Sequence, residues 1–267
     1  MKKMKAIIKY PGSKWSIANW IINKFPEHHS YLELFFGSGA VLFNKSRSNI
    51  ETVNDLDDNV INLFNWIKND PEKLAHEIYF TPYARNIYEN SNDNIPEESL
   101  AKAVNFCIQI NMGYGCRILD RVGWKKDVYG REKAYSAIDW CKLPDRIIQA
   151  SERLRGVQIE NKPAVELAQQ FNHKNVLIYA DPPYMQKTRC CKQYNHEMND
   201  KEHSNLLDVL LAHKGPVLIS GYDNDLYNDR LKNWYKGETI SYTRNGTRKK
   251  EILWMNFEPV SQLSLFD

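Results

Sequence analysis

Residues 30–55 read SYLELFFGSGAVLFNKSRSNIETVND and decide the fold. The run from Ser30 to Phe36 is typical of a buried strand, and Gly37-Ser38-Gly39 interrupts it. The pattern then predicts a helix from Ala40 to Lys45, followed by a second strand that ends at Asp55. A strand, glycine turn, helix and strand in this order form a βαβ unit, which indicates a parallel sheet with crossover helices.

Further strands follow in the second half of the chain. Apolar runs predict strands over 157–159, 176–180 and 217–220. Two last strands, over 239–243 and 251–257, flank an Asn-Gly dipeptide that is typical of a hairpin turn.

The stretch from about residue 70 to residue 144 differs from both flanks. It contains helical segments such as 99–110 and several glycines, but no strong strand. We therefore predict one α/β domain formed by residues 1–68 and 145–267, with a module inserted over residues 69–144.

Composition excludes several classes of protein. The chain has 267 residues and a net charge of +3, which fits an ordinary globular protein and neither requires nor excludes a nucleic-acid partner. No signal peptide or membrane span is expected, and five cysteines without a framework favour reduced thiols in the cytoplasm. No cysteine or histidine spacing predicts a metal site.

The glycine turn and Asp55 predict a ligand site. Glycine at the carboxyl end of a strand lets a ligand approach the backbone, and Asp55 ends the next strand, where a carboxylate can accept hydrogen bonds from ribose hydroxyls. Leu42 stands where the dinucleotide fingerprint would place its third glycine. The alternative is a tight turn in which Asp55 caps the following helix.

Lys14 is predicted to lie in the first turn of a helix that contains Trp15, Ala18, Ile21 and Ile22. The helix dipole disfavours a cation there, and an anionic ligand such as the carboxylate of a methionine moiety would offset this. A solvated surface lysine is the alternative.

The tetrapeptide Asp181-Pro182-Pro183-Tyr184 follows the strand over 176–180 and therefore reaches the same sheet edge. The Asp181 carboxylate and the Pro182 carbonyl can accept the hydrogens of an adenine amine and draw its lone pair out of the ring. Tyr184 offers a flat face on which a base rotated out of the duplex could stack. A proline turn with Asp181 as a cap is the alternative.

These motifs in this order resemble the Dam-type (D12 class) adenine-N6 DNA methyltransferases. The resemblance covers roughly residues 5–68 and 155–257, and it includes Tyr10 to Lys14, Glu33 to Gly39, Asn54-Asp55, the tetrapeptide and Glu251 to Asn256. It implies a Rossmann-like methyltransferase fold, an α/β structure whose seven-stranded mixed sheet ends in an antiparallel hairpin. The insertion would be a mainly helical target-recognition domain. Members that read GATC usually carry an Arg/Asn/Gly/Phe-rich hairpin there, which residues 111–126 lack, so GATC is not predicted.

The same resemblance implies S-adenosyl-L-methionine as cofactor. The residues expected at the cofactor are Tyr10, Lys14, Phe35, Gly37, Ser38, Gly39, Asp55, Pro163, Ala164 and Asp181. The catalytic residues would be Asp181, Pro182 and Tyr184.

Basic residues interleaved with aromatic ones in the insertion, and a basic loop after the tetrapeptide, predict contacts to DNA. The candidates are Arg117, Arg121, Lys125, Lys126, Arg131, Lys187, Arg189 and Lys192. A charged surface over an aromatic core is the alternative. The cations at 244 and 248–250 either grip the DNA backbone or form a solvated hairpin tip.

We therefore expect a cytoplasmic, monomeric enzyme that methylates the N6 amine of adenine in double-stranded DNA by direct attack on a flipped-out base. A cognate restriction endonuclease is a possible partner. The alternatives are methylation of another planar amine (cytosine N4, RNA adenine or a protein glutamine amide), a DNA-binding regulator without turnover, and a dinucleotide oxidoreductase, which Leu42 disfavours.

Overall fold

A computed structural model describes residues 4–116, 121–128, 133–185, 194–242 and 248–259. Its strands are β1 (Ser30–Glu33), β2 (Ile50–Asn54), β3 (Val157–Glu160), β4 (Val176–Ala180), β5 (Val217–Gly221), β6 (Tyr235–Tyr242) and β7 (Arg248–Met255). They form a seven-stranded sheet in the order β3-β2-β1-β4-β5-β7-β6. Strands β1 to β5 are parallel, whereas β7 runs antiparallel to β5 and β6. The predicted mixed α/β sheet with its terminal hairpin is confirmed.

Helices cover both faces of the sheet. They are α1 (Ala18–Ile22), α2 (Asp58–Asn69), α3 (Pro71–Phe80), α4 (Arg85–Asp93), α5 (Ser99–Met112), α6 (Tyr135–Cys141), α7 (Leu143–Leu154), α8 (Ala164–Gln170), α9 (Asp200–Leu211) and α10 (Asp225–Arg230). Successive residues of a strand point to opposite faces, so Leu177 and Tyr179 join one hydrophobic cluster while Ile178 and Ala180 join the other. The result is a three-layer α/β/α arrangement.

The helices between residues 69 and 144 share the core on one side of the sheet. Leu74 of α3 and Phe106 of α5 belong to the same buried cluster as Phe64 and Ile67 of α2. Burying these side chains together fixes the orientation of this segment relative to the sheet.

The predicted helix from Ala40 to Lys45 is wrong, because this stretch forms turns. The N–H of Leu42 donates to the buried carboxylate of Glu33 at 3.2 Å instead of to a helical carbonyl. Val41, Leu42 and Phe43 are all buried in the core. The first strand is also shorter than predicted and ends at Glu33.

The predicted helical position of Lys14 is also wrong. Helix α1 begins at Ala18, with Ile17 as its N-cap, so Lys14 precedes the helix and does not lie in its first turn. None of the helices in the described ranges combines the length and the apolar character needed to cross a bilayer.

Candidate active site

A cavity of about 470 Å³ lies at the carboxyl ends of β1, β2 and β4. It is lined by nine of the ten residues that the sequence placed at the cofactor: Tyr10, Lys14, Phe35, Gly37, Ser38, Asp55, Pro163, Ala164 and Asp181. The parallel pairing of β1 with β2 and β4 brings the glycine turn, Asp55 and Asp181 together, because each follows the end of one of these strands. Pro163 and Ala164 follow β3, which pairs with β2, whereas Tyr10 and Lys14 precede β1.

Glycine is required at both ends of the Gly37-Ser38-Gly39 turn. Gly37 has a φ of +49° and Gly39 a φ of +68°, a backbone region that other residues rarely adopt. A Cβ atom on Gly37 would lie 3.1 Å from the Tyr10 ring, and one on Gly39 would lie 2.6 Å from the Phe43 ring. Gly39 is buried and does not line the cavity, so its role in this structure is to let the aromatic core approach the turn.

Asp55 is held by the backbone on either side of it. One carboxylate oxygen accepts the N–H of Gly37 at 2.7 Å, and the other accepts the N–H of Asp57 at 3.0 Å. Burial raises the pKa of Asp55 to about 6, although these backbone hydrogen bonds lower it. Each oxygen keeps a lone pair beyond these contacts, so the group can accept further hydrogen bonds from a ligand in the cavity.

Asp57 organises the mouth of the cavity, a role that sequence reasoning missed. Its side chain caps α2 by accepting the N–H of Asn59 at 3.0 Å. It also accepts the hydroxyl of Tyr10 at 3.1 Å and the side-chain amide of Asn195 at 3.0 Å. Residues 194–198 form the opposite wall, with the Tyr194 ring centroid 6.1 Å from that of Tyr10. The cluster of carboxylates at positions 55, 57 and 58 could have indicated a polar site in the sequence. No pattern around Asn195 indicated its contact with Asp57.

Asn54 connects the end of β2 to the loop that carries Pro163. Its side-chain amide donates to the carbonyls of Leu34 and Lys162, both at 3.0 Å, and its oxygen accepts the N–H of Lys162 at 2.9 Å. These bonds place Pro163 and Ala164 at the cavity wall.

Asp181 follows β4 and is paired on both oxygens. One accepts the hydroxyl of Ser220 at 2.7 Å, and the other lies 2.8 Å from the ammonium of Lys14. Lys14 is 6% exposed, and burial would lower its pKa. The nearby carboxylates of Asp181 and Glu251 outweigh burial and raise the pKa of Lys14. The anion expected beside Lys14 is thus present in the protein itself.

Tyr184 is tethered next to this ion pair. Its hydroxyl donates to Glu251, and the Lys14 ammonium lies 4.7 Å from the centroid of its ring. The ring of Tyr222, just after β5, meets the Tyr184 ring edge to face at 4.6 Å between centroids. Sequence reasoning assigned no role to Glu251 or Tyr222, because neither belongs to the tetrapeptide.

Glu33 is a second buried acid on the cavity wall. It accepts the hydroxyl of Tyr31 at 2.8 Å, and it is 2% exposed. Burial raises the pKa of Glu33 to about 8. Glu33 therefore ionises less readily than an exposed glutamate.

The predicted DNA-contacting residues lie partly within the described chain. Arg121 is exposed and pairs with Asp93 at 2.6 Å, and Lys126 is exposed. Lys125 is half-buried, and burial together with the nearby Lys9 lowers its pKa. Arg117, Arg131, Lys187, Arg189, Lys192 and the hairpin turn at 243–247 lie outside the described residues. Within the described ranges, no group of three or more His, Cys, Asp or Glu side chains could hold a metal ion.

Comparison with known proteins assigns the chain to a family. Residues 10–248 match the family model of the D12 class N6 adenine-specific DNA methyltransferases. The DNA adenine methylase of Vibrio cholerae serotype O1 (El Tor Inaba) is 24% identical, over 97% of this chain and 98% of its own length. The DNA adenine methylase of Escherichia coli K12 is 24% identical, over 94% of each chain. A putative methylase of known structure from Haemophilus influenzae aligns with a TM-score of 0.40 and 11% identity, over 94% of this chain and 92% of that one. Because the family model spans most of its length, this chain belongs to the D12 class, the S-adenosyl-L-methionine-dependent enzymes that methylate adenine N6 in DNA.

Proposed function

We propose that Asp181 and the carbonyl of Pro182 receive the amine of an adenine flipped out of duplex DNA, and that methyl transfer takes place in the cavity that Asp181 lines. One observation carries this proposal. Asp181 lines the same cavity as Gly37 and Asp55, so the acceptor for the amine and the carboxylate for the cofactor share one space.

The cavity suits S-adenosyl-L-methionine. Its volume of about 470 Å³ lies within the range of cofactor sites. We assign the ribose hydroxyls to Asp55, since a carboxylate held by two backbone N–H groups is a fixed acceptor for hydroxyl donors. When bound, the cofactor supplies a methyl group on a positively charged sulfur, which is already an activated electrophile. The other proposed contacts are Tyr10, Lys14, Phe35, Ser38, Pro163 and Ala164, all on the cavity wall.

Asp181 acts on the target amine through its position. The lone pair of an adenine amine is delocalised into the ring, so the amine is a weak nucleophile. A carboxylate that accepts one of its hydrogens localises the lone pair and stabilises the positive charge that develops on N6. Ser220 and Lys14 contact the Asp181 carboxylate from two sides, which fixes its position at the cavity wall before the amine arrives.

Tyr184 is assigned to the face of the flipped base. An aromatic ring beside the acceptor stabilises an extruded base by stacking, which partly offsets the cost of removing it from the duplex. The contact of the Tyr184 hydroxyl with Glu251 restricts the ring to one orientation.

Residues 69–144 are assigned to target recognition. The helices of this segment are joined to the catalytic sheet through a common core, so basic residues on its surface have a fixed place relative to Asp181. Arg121, Lys125 and Lys126 are the proposed DNA contacts within the described chain. We take duplex DNA as the substrate and a monomer as the active species.

The decisive experiment compares Asp181→Asn with the wild type on duplex oligonucleotides. Single-turnover methylation should fall by about 100- to 1000-fold, since one pre-organised electrostatic contact is removed. DNA binding, measured by anisotropy, should persist. Asp223→Asn is the matched control, because Asp223 is exposed and pairs with Lys236 on the outer surface. Full activity of Asp181→Asn would refute the assignment.

A further inference from the structure

Glu251 is a second buried carboxylate beside the ion pair of Lys14 and Asp181. It lies on β7, is 3% exposed, and has one oxygen 3.4 Å from the ammonium of Lys14. The same oxygen accepts the hydroxyl of Tyr184, and the other oxygen accepts the hydroxyl of Ser241 at 3.4 Å. Glu251 thus contacts Lys14, which lines the cavity, and Tyr184 of the tetrapeptide.

Lys14 lies between two carboxylates in this structure. Its ammonium contacts Asp181 at 2.8 Å, Glu251 at 3.4 Å and the carbonyl of Gly12 at 2.7 Å. An ammonium has three N–H donors, so these three acceptors match its full capacity. If the ammonium moves from Asp181 towards Glu251, it still has hydrogen-bond acceptors.

The charge of this cluster bears on methyl transfer. As the lone pair of N6 forms a bond to the methyl carbon, the carbon–sulfur bond of the donor breaks and its electron pair goes to sulfur. N6 is then positively charged until one of its hydrogens leaves as a proton to the Asp181 carboxylate, which accepts a hydrogen bond from the amine in the proposed arrangement. The Lys14 ammonium, when it lies on Asp181, repels this positive charge. In a buried site, solvent screens such a repulsion only weakly. With both carboxylates ionised, Asp181, Lys14 and Glu251 together carry one negative charge; without Glu251, the other two are neutral overall.

We propose that Glu251 is a positioning residue for methyl transfer. It takes up the ammonium of Lys14 when the target amine occupies Asp181, and it holds the hydroxyl of Tyr184 so that the ring faces the base. This inference rests on the proposed role of Asp181.

Burial of Glu251 is costly, which argues against a purely structural role. Burial raises the pKa of Glu251, and the charge of Lys14 offsets this only in part. A neutral glutamine would satisfy the Tyr184 hydroxyl without burying a charge. The ionised form is useful for attracting the ammonium of Lys14.

The test is Glu251→Gln, which keeps the shape and removes the charge. We expect the single-turnover methylation rate to fall by about 10- to 100-fold. The dissociation constants for the cofactor, by calorimetry, and for duplex DNA, by anisotropy, should stay within about threefold of wild type, since neither contact is removed. Glu238→Gln is the matched control on the same hairpin, because Glu238 is exposed and pairs with Lys250 at 2.6 Å. It should leave the rate unchanged.

A double-variant cycle with Lys14→Met separates positioning from structure. If Glu251 acts by receiving the ammonium, Glu251→Gln should add no further loss once Lys14 is replaced. Independent structural roles would instead multiply the two losses. Two results would overturn the inference. One is a double variant whose rate falls by the product of the two single losses. The other is a Glu251→Gln rate within about twofold of wild type.

Two further variants keep these outcomes distinct. If Glu251→Gln unfolds, Glu251→Asp keeps the charge, and a rate more than about tenfold below wild type in a folded Glu251→Asp protein would overturn the inference. Asp181→Asn is measured in parallel: if it is inactive while Glu251→Gln is normal, only the role of Glu251 is lost. If Asp181→Asn is fully active, the proposed function itself is lost.

Discussion

Replacing Asp55 with asparagine should make the ligand-free protein more stable at neutral pH and worse at binding its cofactor. Burial raises the pKa of Asp55 from 3.8 to about 6, so folding favours the protonated carboxyl over the ionised one. The cost of ionisation is absent below about pH 4, grows as the pH rises through about 6, and is constant above that. Asparagine cannot ionise and therefore escapes this cost.

The magnitude follows from the pKa and the hydrogen bonds. The rise from 3.8 to about 6 corresponds to about 3 kcal/mol once the group is fully ionised. Against this, asparagine has a single acceptor oxygen, so Gly37 or Asp57 loses the acceptor for its N–H. An unsatisfied N–H costs about 1–3 kcal/mol. The free energy of unfolding should therefore rise by about 0–2 kcal/mol at about pH 8.

The pH dependence is the sharper measurement. Between about pH 4.5 and about pH 8, the stability difference between Asp55→Asn and wild type should shift by about 2 kcal/mol in favour of the variant. Urea unfolding at the two pH values measures this shift, and Asp58→Asn, an exposed carboxylate at the start of α2, is the control. Calorimetry at the higher pH should show cofactor affinity reduced by about 10- to 100-fold, because the charge-assisted hydrogen bonds to the carboxylate are lost. A stability difference that does not change with pH would refute the burial argument, and unchanged cofactor affinity would remove Asp55 from the site.

Three further changes test other parts of the structure. Gly39→Ala should lower the free energy of unfolding by about 2–4 kcal/mol in urea titrations, because it combines a left-handed backbone with a Cβ 2.6 Å from Phe43; a loss below 0.5 kcal/mol would contradict the observed packing. Glu51→Gln should cost about 3–5 kcal/mol in the same assay, because it leaves two buried cations without their anion; a neutral effect would mean that these charges are hydrated in solution. Replacing Lys125 and Lys126 with glutamine should reduce the slope of log K against log salt for duplex DNA by about two, and an unaltered slope would exclude both from phosphate contact.

The sheet and the edge at which the site forms could be predicted from local sequence. Apolar runs of strand length, each followed by a glycine turn, an aspartate or a proline pair, define parallel strands and their carboxyl ends. Parallel pairing then places Gly37, Asp55 and Asp181 at one edge, whatever the details of packing. These positions depend on periodicity and chain direction, which short windows of sequence contain.

The stretch after the glycine turn shows where local reasoning fails. Ala40 to Lys45 has acceptable helix propensity, yet the Leu42 N–H finds a buried carboxylate on the preceding strand and the helix does not form. Propensity counts only the contacts of a helix with itself. A tertiary acceptor in a low-dielectric interior outweighs the few tenths of a kcal/mol that separate one backbone conformation from another.

The ion network at the reacting carboxylate was beyond prediction for a different reason. Lys14, Asp181 and Glu251 lie far apart in the chain. The family resemblance placed Lys14 and Asp181 at the cofactor, but no local pattern signals that they pair with each other or that Glu251 joins them. The isolated sequence suggested that Lys14 awaits an external anion, whereas the folded chain supplies two. A buried charged residue needs opposite charges close to it, and the topology of the fold determines which residues supply them. In this enzyme the antiparallel return of β7 beside β5 sets them, since it carries Glu251 back to the carboxyl end of β4.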